Sequence, residues 1–375
     1  MWPRFDGVNK HPLRMLFKPL LIIQAPLGCA RINDFGISIQ PLKTWQKIYS
    51  ICYMILCALA YILYTTNKEG APTLKSGIVE FIFSAAQLIT NTVVNCAVVI
   101  VNNLIYTKEN VYIFNCLQHI DTKLKVVGKP EHYNAVFNFI ICALIFNSFF
   151  HVYYIIWGVK SLPLISKWVP LLSHLMIVDD LEMIFIVSVV FLMYKRVKYI
   201  NKILNQFSST KWRHSTHVNE SVVFRRMWEA FIGIATTVRC LENTSSIYML
   251  CGVLHFFIYH LFNVEICIIY AQDQSKGYIL TRNWILFKYL AKVTVLSLCM
   301  NYFEISLECT KDQCFNVLRK NDNVLSRQYV KNIMRLLTHK LYPISVYRII
   351  NANAVYRLIF LTTEYSIVLL QFAYL

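Results

Sequence analysis

Seven apolar runs, each close to twenty residues or longer, punctuate the sequence at 45–64, 78–101, 135–158, 168–194, 246–271, 281–303 and 350–375. At 1.5 Å of rise per residue, about twenty residues of helix cross the ~30 Å hydrocarbon layer of a bilayer. In lipid the backbone must satisfy its hydrogen bonds within the segment, so such runs become helices. The pattern predicts an all-α polytopic membrane protein of seven spans. Composition excludes the soluble alternative: 57% of the residues are apolar and 15% charged, against about 25% charged in soluble domains. So much apolar surface on a soluble fold would stay exposed and adhesive.

Several spans carry ionisable groups. Span 2 has Glu80, span 4 has Asp179, Asp180 and Glu182, and span 6 has Lys288 and Lys292. Span 7 has Arg357 and Glu364. Membrane helices tolerate such groups where they pack against one another or line water, so a tight bundle is expected.

Loop charge sets the orientation. The segments 1–44, 102–134, 195–245 and 304–349 hold twenty-seven Lys and Arg, and the loops on the other side hold six. Positive charge stays inside, which places the N-terminus in the cytoplasm and the C-terminus outside. The division is a cytoplasmic segment 1–44, spans 1–4 over 45–194, a cytoplasmic helical segment 195–245, spans 5 and 6 over 246–303, a cytoplasmic helical anchor 304–349, and span 7 over 350–375. G-protein-coupled receptors have the opposite orientation. The N-terminal apolar stretch at 20–23 stops at Gln24 and Pro26. That is too short for a signal peptide, and the segment is read as touching the inner membrane surface.

All twelve cysteines fall within spans or inner segments, where thiols stay reduced. No Cys or His spacing suits a metal, and no catalytic or phosphate-binding loop motif occurs. No cofactor is expected. The net charge of +17 is spread over inner loops rather than gathered in a patch for nucleic acid. The sequons at Asn219 and Asn243 lie on the inner side, out of reach of glycosylation.

The inner segments are patterned. Ile200, Ile203, Leu204 and Phe207 recur at helical spacing, as do Phe224, Met227, Trp228, Phe231, Ile234, Val238 and Leu241. So do Val330, Ile333, Met334, Leu337 and Leu341. These stripes either lie on the anionic inner leaflet or extend the spans and pack together. Packing is favoured, because Asn, Gln and Glu dilute the basic faces.

The last span reads LTTEYSIVLLQF over 361–372. Tyr365, a five-residue spacer, Gln371 and Phe372 resemble the signature of insect gustatory receptors, with Glu364 in place of the family's Thr. The related insect odorant receptors share the seven-span plan. The resemblance implies a cation channel of four subunits, homomeric or heteromeric, in the plasma membrane of sensory neurons. It implies that Gln371 and Phe372 face or narrow a pore lined by the seventh helices, beside Val368. A small-molecule tastant would bind among the outer halves of spans 2 to 6. Sugar-sensing members carry Glu directly after the motif Tyr. Ser366 stands there in this chain, which favours a non-sugar, bitter-type tastant.

Helix geometry adds to the resemblance. Arg357, Glu364 and Gln371 are seven apart and share one face. Glu364 is either part of a pore ring that favours cations or a structural acid that neutralises on burial. Asp179 on span 4 and Lys292 on span 6 are each eleven residues in from their outer ends, about 16 Å deep, and Glu182 and Lys288 share their helix faces. They form either a charge-paired core or a polar floor to the pocket. His151, Tyr154, Trp157, His174, Tyr259 and Trp284 are the aromatic and polar candidates around it, with Asp179 and Lys288. A secondary transporter is the competing class, but no internal repeat or Gly-broken span pair supports it.

The topology is directly testable. An N-terminal epitope tag on intact cells should be reached by antibody only after permeabilisation, and a C-terminal tag without it. Glycosylation at Asn219 or Asn243 would refute this orientation.

Overall fold

A computed structural model describes residues 12–33, 39–66, 92–161 (except 94, 97 and 128), 169–208, 220–270, 276–320, 323–339 and 354–374. Among these residues there are nine named α-helices: α1 Pro12–Gln24, α2 Thr44–Thr66, α3 Thr107–Lys123, α4 Asn134–Ser161, α5 Val169–Ser208, α6 Glu220–Tyr270, α7 Lys276–Lys320, α8 Val324–His339 and α9 Ala354–Tyr374. Helical residues between 92 and 99 lead into a π-helical turn, Ile100–Ile105.

Three stretches are long and apolar enough, by length and composition, to cross a membrane among the described residues: Asn134–Ile156, Glu220–Leu261 and Trp284–Lys320. They overlap spans 3, 5 and 6, the second beginning well before span 5 and the third running well past span 6. Helices α2 and α9, of 23 and 21 residues, also match the thickness of the hydrocarbon layer. Span 4 lies in α5 and keeps its three acids buried. Most of span 2 lies outside the described residues.

Helices α5, α6 and α7 run 40, 51 and 45 residues, well beyond the membrane requirement. Their extensions carry the stripes seen in the sequence, and those stripes pack within the chain. Ile200, Leu204, Phe224, Met227, Phe231, Ile234, Leu241, Val330, Ile333 and Leu337 are all buried in one continuous core. Helix α8 lies against α6 and α7, and α3 lies along α6. Polar ties fix the registers. Asn201 of α5 donates to the Ser306 carbonyl at 2.8 Å and accepts from Thr310 at 2.6 Å, both on α7. Arg196 of α5 reaches Asp121 of α3 at 2.5 Å, and the Tyr133 hydroxyl donates to the same carboxylate at 2.6 Å. Burial and the adjacent carboxylate push the Tyr133 hydroxyl's pKa up. Burial alone raises the Cys314 thiol to about 12, so this thiol is held protonated and unreactive.

The N-terminal segment turns its apolar face into the protein, a packing the sequence reading did not foresee. Leu13, Leu16, Phe17, Leu20 and Leu21 of α1 are buried in the main core, with Phe17 edge-on to Phe114 at 5.3 Å. Beyond α1, Arg31 is fully buried. It forks onto the Glu182 carboxylate, donates to Asn110 at 2.7 Å and stacks over Phe185 at 4.1 Å. The segment is an internal wedge whose cation neutralises an acid of span 4.

Removing one partner of a buried ion pair strands the other and costs about 3–5 kcal/mol. Arg31→Met should therefore lower the thermal midpoint of detergent-solubilised protein, read by fluorescence-detected size exclusion. Adding Glu182→Gln should recover part of the loss. Equal midpoints for Arg31→Met and the unaltered chain would remove the wedge's electrostatic role.

Candidate ligand pocket and pore helix

The site is built on α5, because its consecutive acids cannot remain alone in an apolar bundle. Asp179 and Asp180 are both buried and face α7. Lys292 Nζ meets Asp179 Oδ2 at 2.5 Å and also pairs with Asp180. Lys288 pairs with Asp180. From α4, His151 Nε2 lies 2.7 Å from Asp180 Oδ2 and Nδ1 lies 2.9 Å from Ser173 Oγ. With the Lys288 ammonium beside it, this pattern suits a neutral imidazole whose Nε2–H donates to Asp180 and whose Nδ1 accepts from Ser173. From α6, the Tyr248 hydroxyl donates to Asp179 Oδ1 at 2.8 Å. Two carboxylates of α5 and two ammonium groups of α7 thus close into one neutral set, which His151 and Tyr248 tie to α4 and α6.

On the side toward the predicted outer face, the network is capped by aromatic groups. Phe150, Met176, Phe256, Tyr259, Ile285, Tyr289 and Val293 form a second apolar cluster, with Tyr154 against it. Lys288 sits 4.1 Å over the Phe150 ring and Lys292 4.7 Å over Tyr289. Phe150 and Trp284 stack at 6.2 Å. His255 is buried with its ring 5.1 Å from Tyr289.

The structure therefore brings together His151, Tyr154, Asp179, Tyr259, Trp284, Lys288 and Lys292. It does not bring Glu182 into the network. Glu182 turns away to Arg31, and Asp180 takes its place. Asp180, Ser173, Tyr248 and His255 are participants that the sequence reading did not assign to this site. The side chains of Trp157, His174 and Phe372 lie outside the described residues.

The last helix is held on one side. Thr362 is buried, and Ser366 Oγ donates to the Thr362 carbonyl at 2.7 Å and lies 3.3 Å from His260 Nε2 of α6. Tyr365 meets Phe257 edge-on at 5.3 Å. The stripe Arg357, Leu361, Glu364, Val368 and Gln371 is exposed along its whole length.

The architecture is that of a multi-pass, all-helical membrane protein with a fold like an insect odorant receptor's. The chain is similar to the insect olfactory receptor OR5 from Machilis hrabei, with a TM-score of 0.69 over 96% of this chain and 98% of that one, at 12% sequence identity. At this identity the likeness is one of fold. No family model and no curated protein matches the sequence.

Charge removal should separate the two lysines. Lys292→Met leaves Asp179 without its cation, whereas Lys288→Met leaves Asp180 still paired with Lys292. Surface expression should fall more for Lys292→Met, and Asp179→Asn added to it should restore part of the loss. Equal, strictly additive losses would show that the four charges do not act as a set.

Proposed function

We propose that this chain is an insect gustatory-type chemoreceptor: a ligand-gated, non-selective cation channel of four family subunits in the plasma membrane of sensory neurons. A small-molecule tastant of the non-sugar, bitter type opens it. The observation that carries this reading is the exposed stripe of α9. Arg357, Glu364 and Gln371 lie open along one face of a membrane-length helix that bears the Tyr365, Gln371 and Phe372 signature. An ionised side chain facing lipid at mid-membrane costs at least about 2.5–3.5 kcal/mol on insertion scales. The stripe therefore belongs against water or against the same helix of other subunits, and a central pore supplies both. In that arrangement Gln371, Phe372, Val368 and Glu364 line the conduction path, with Glu364 about 10 Å deeper than Gln371.

The ligand chemistry follows from the buried network. Its floor is already neutral, two ammonium groups against two carboxylates, and its walls are aromatic. This suits an uncharged, largely apolar molecule with one or two hydrogen-bonding groups. A charged ligand would have to break an existing pair. The odorant-type receptor is the second reading, favoured by the fold of the olfactory receptor. The two readings differ in ligand delivery rather than in architecture. A transporter has no repeat to support it.

Purified protein in a planar bilayer should pass unitary currents when an agonist from a panel of bitter and volatile compounds is added. Saturating, stoichiometric flux without unitary events would instead indicate a transporter. In the same preparation Glu364→Gln should lower divalent permeability and weaken block by external cations, while the surface level of the variant in expressing cells stays near normal. The substitution keeps shape and removes charge, so unchanged permeability and block would place Glu364 outside the pore.

A further inference from the structure

Two faces of α6 meet on one residue. Phe256 and Tyr259 belong to the buried aromatic cluster, and His255 lies against its Tyr289. Phe257 turns instead to α9, edge-on to Tyr365 at 5.3 Å. At 3.6 residues per turn, His260 falls between these two directions, four residues after Phe256 and three after Phe257. It touches both sides. Its ring stacks on Phe256, with centroids 6.2 Å apart and planes 18° from parallel. Its Nε2 lies 3.3 Å from Ser366 Oγ of α9.

The proton in that second contact follows from its neighbours. Ser366 Oγ gives its own hydrogen to the Thr362 carbonyl at 2.7 Å. A hydroxyl has one proton to donate and lone pairs to accept with, so the His260 Nε2–H donates to Ser366. At 3.3 Å the bond is already at the long end for N–H···O, and a small turn of the imidazole breaks it. The edge contact of Tyr365 with Phe257 is different, because rings slide without losing a bond. A continuous path of contacts thus runs from the aromatic cluster through Phe256 and His260 to the last helix.

We propose that His260 is a positioning residue for gating: it latches α9 to α6 through Ser366, and its stack on Phe256 puts the latch under control of the aromatic pocket. The inference rests on the channel reading above, with α9 as the pore helix. A ligand that displaces Phe256 carries the imidazole with it, and the bond to Ser366 is lost. Helix α9 then loses a directional tie to α6 and moves toward its conducting position. Ligand binding and latch release favour the same state, so whatever breaks the latch makes the ligand more effective.

The test reads currents from the full chain in bilayers with the agonist panel, and deuterium exchange of the same protein in nanodiscs. His260→Ala and Ser366→Ala should each raise opening without agonist and lower the half-maximal agonist concentration about fivefold, the size of one net hydrogen bond. The double variant should shift it no further than either single one, because both remove the same bond. His260→Gln places an amide N–H near the Nε2 position and should restore most of the unaltered behaviour. A merely structural role would lower the surface level in expressing cells and leave the agonist dependence of the remaining channels unchanged, which would overturn the latch. Additive shifts in the double variant would overturn it as well. Exchange separates the latch from the channel reading. Amides of residues 362–370 should exchange several-fold faster in unliganded His260→Ala than in the unaltered chain. Unchanged exchange there overturns the latch whether or not the protein conducts. Faster exchange in a chain that passes no current supports the latch and overturns the channel reading alone.

Discussion

Three acids within four residues of a membrane helix must each find a cation, and the bundle is arranged around that requirement. Asp179 and Asp180 draw Lys292 and Lys288 of α7 against α5. Glu182 draws Arg31 from the N-terminal segment. Helix α5 is thereby held from two sides by charge as well as by apolar packing. The pairing adds little net stability over an apolar core of equal volume, since desolvation offsets the Coulomb gain. It does fix register, because sliding either partner by one turn would strand a charge in lipid.

The two ends of the bundle use different chemistry for the same task. At the end that holds Asn201, single ties between long helices, such as Asn201 to Ser306 and Thr310, punctuate a continuous apolar core. At the other, aromatic rings lie over ammonium groups. In the proposed function, these rings would shift by small steps around a ligand while the far end keeps its hydrogen bonds.

Much of this was legible in the sequence, and the misses have specific causes. The inner stripes were readable because helical period survives outside the membrane. Equal depth was enough to match Asp179 with Lys292. Depth alone could not choose between Asp180 and Glu182, because azimuth decides. Successive residues turn by about 100°, so Asp179 and Asp180 straddle the direction of α7, whereas Glu182 points well away from Asp180. The N-terminal wedge was missed for a different reason. Its longest uninterrupted apolar run is only Leu20 to Ile23, but Leu13, Leu16, Phe17, Leu20 and Leu21 already carry an i, i+3, i+4 pattern, which marks a helix with a buried face. Helix α3 carries the same signal in Ile113, Phe114, Leu117 and Ile120 within a segment read mainly for its lysines. Arg31 itself gave no sign of its partner, because a contact 151 residues apart leaves no local pattern.

The last helix shows why the signature alone could not settle a role for Glu364. A motif fixes which residues recur, not which way they face. The packing of Thr362, Ser366 and Tyr365 on α6 supplies the missing rotation. With those three turned inward or edge-on to their own chain, Glu364 and Gln371 must turn outward. An outward carboxylate and amide on a membrane helix need water or a partner subunit. The polar stripe and the buried network thus answer to one rule applied twice: an ionisable group in the bilayer is matched where it is enclosed, and where one chain leaves it open it calls for water or a partner subunit, which is what the proposed pore would supply.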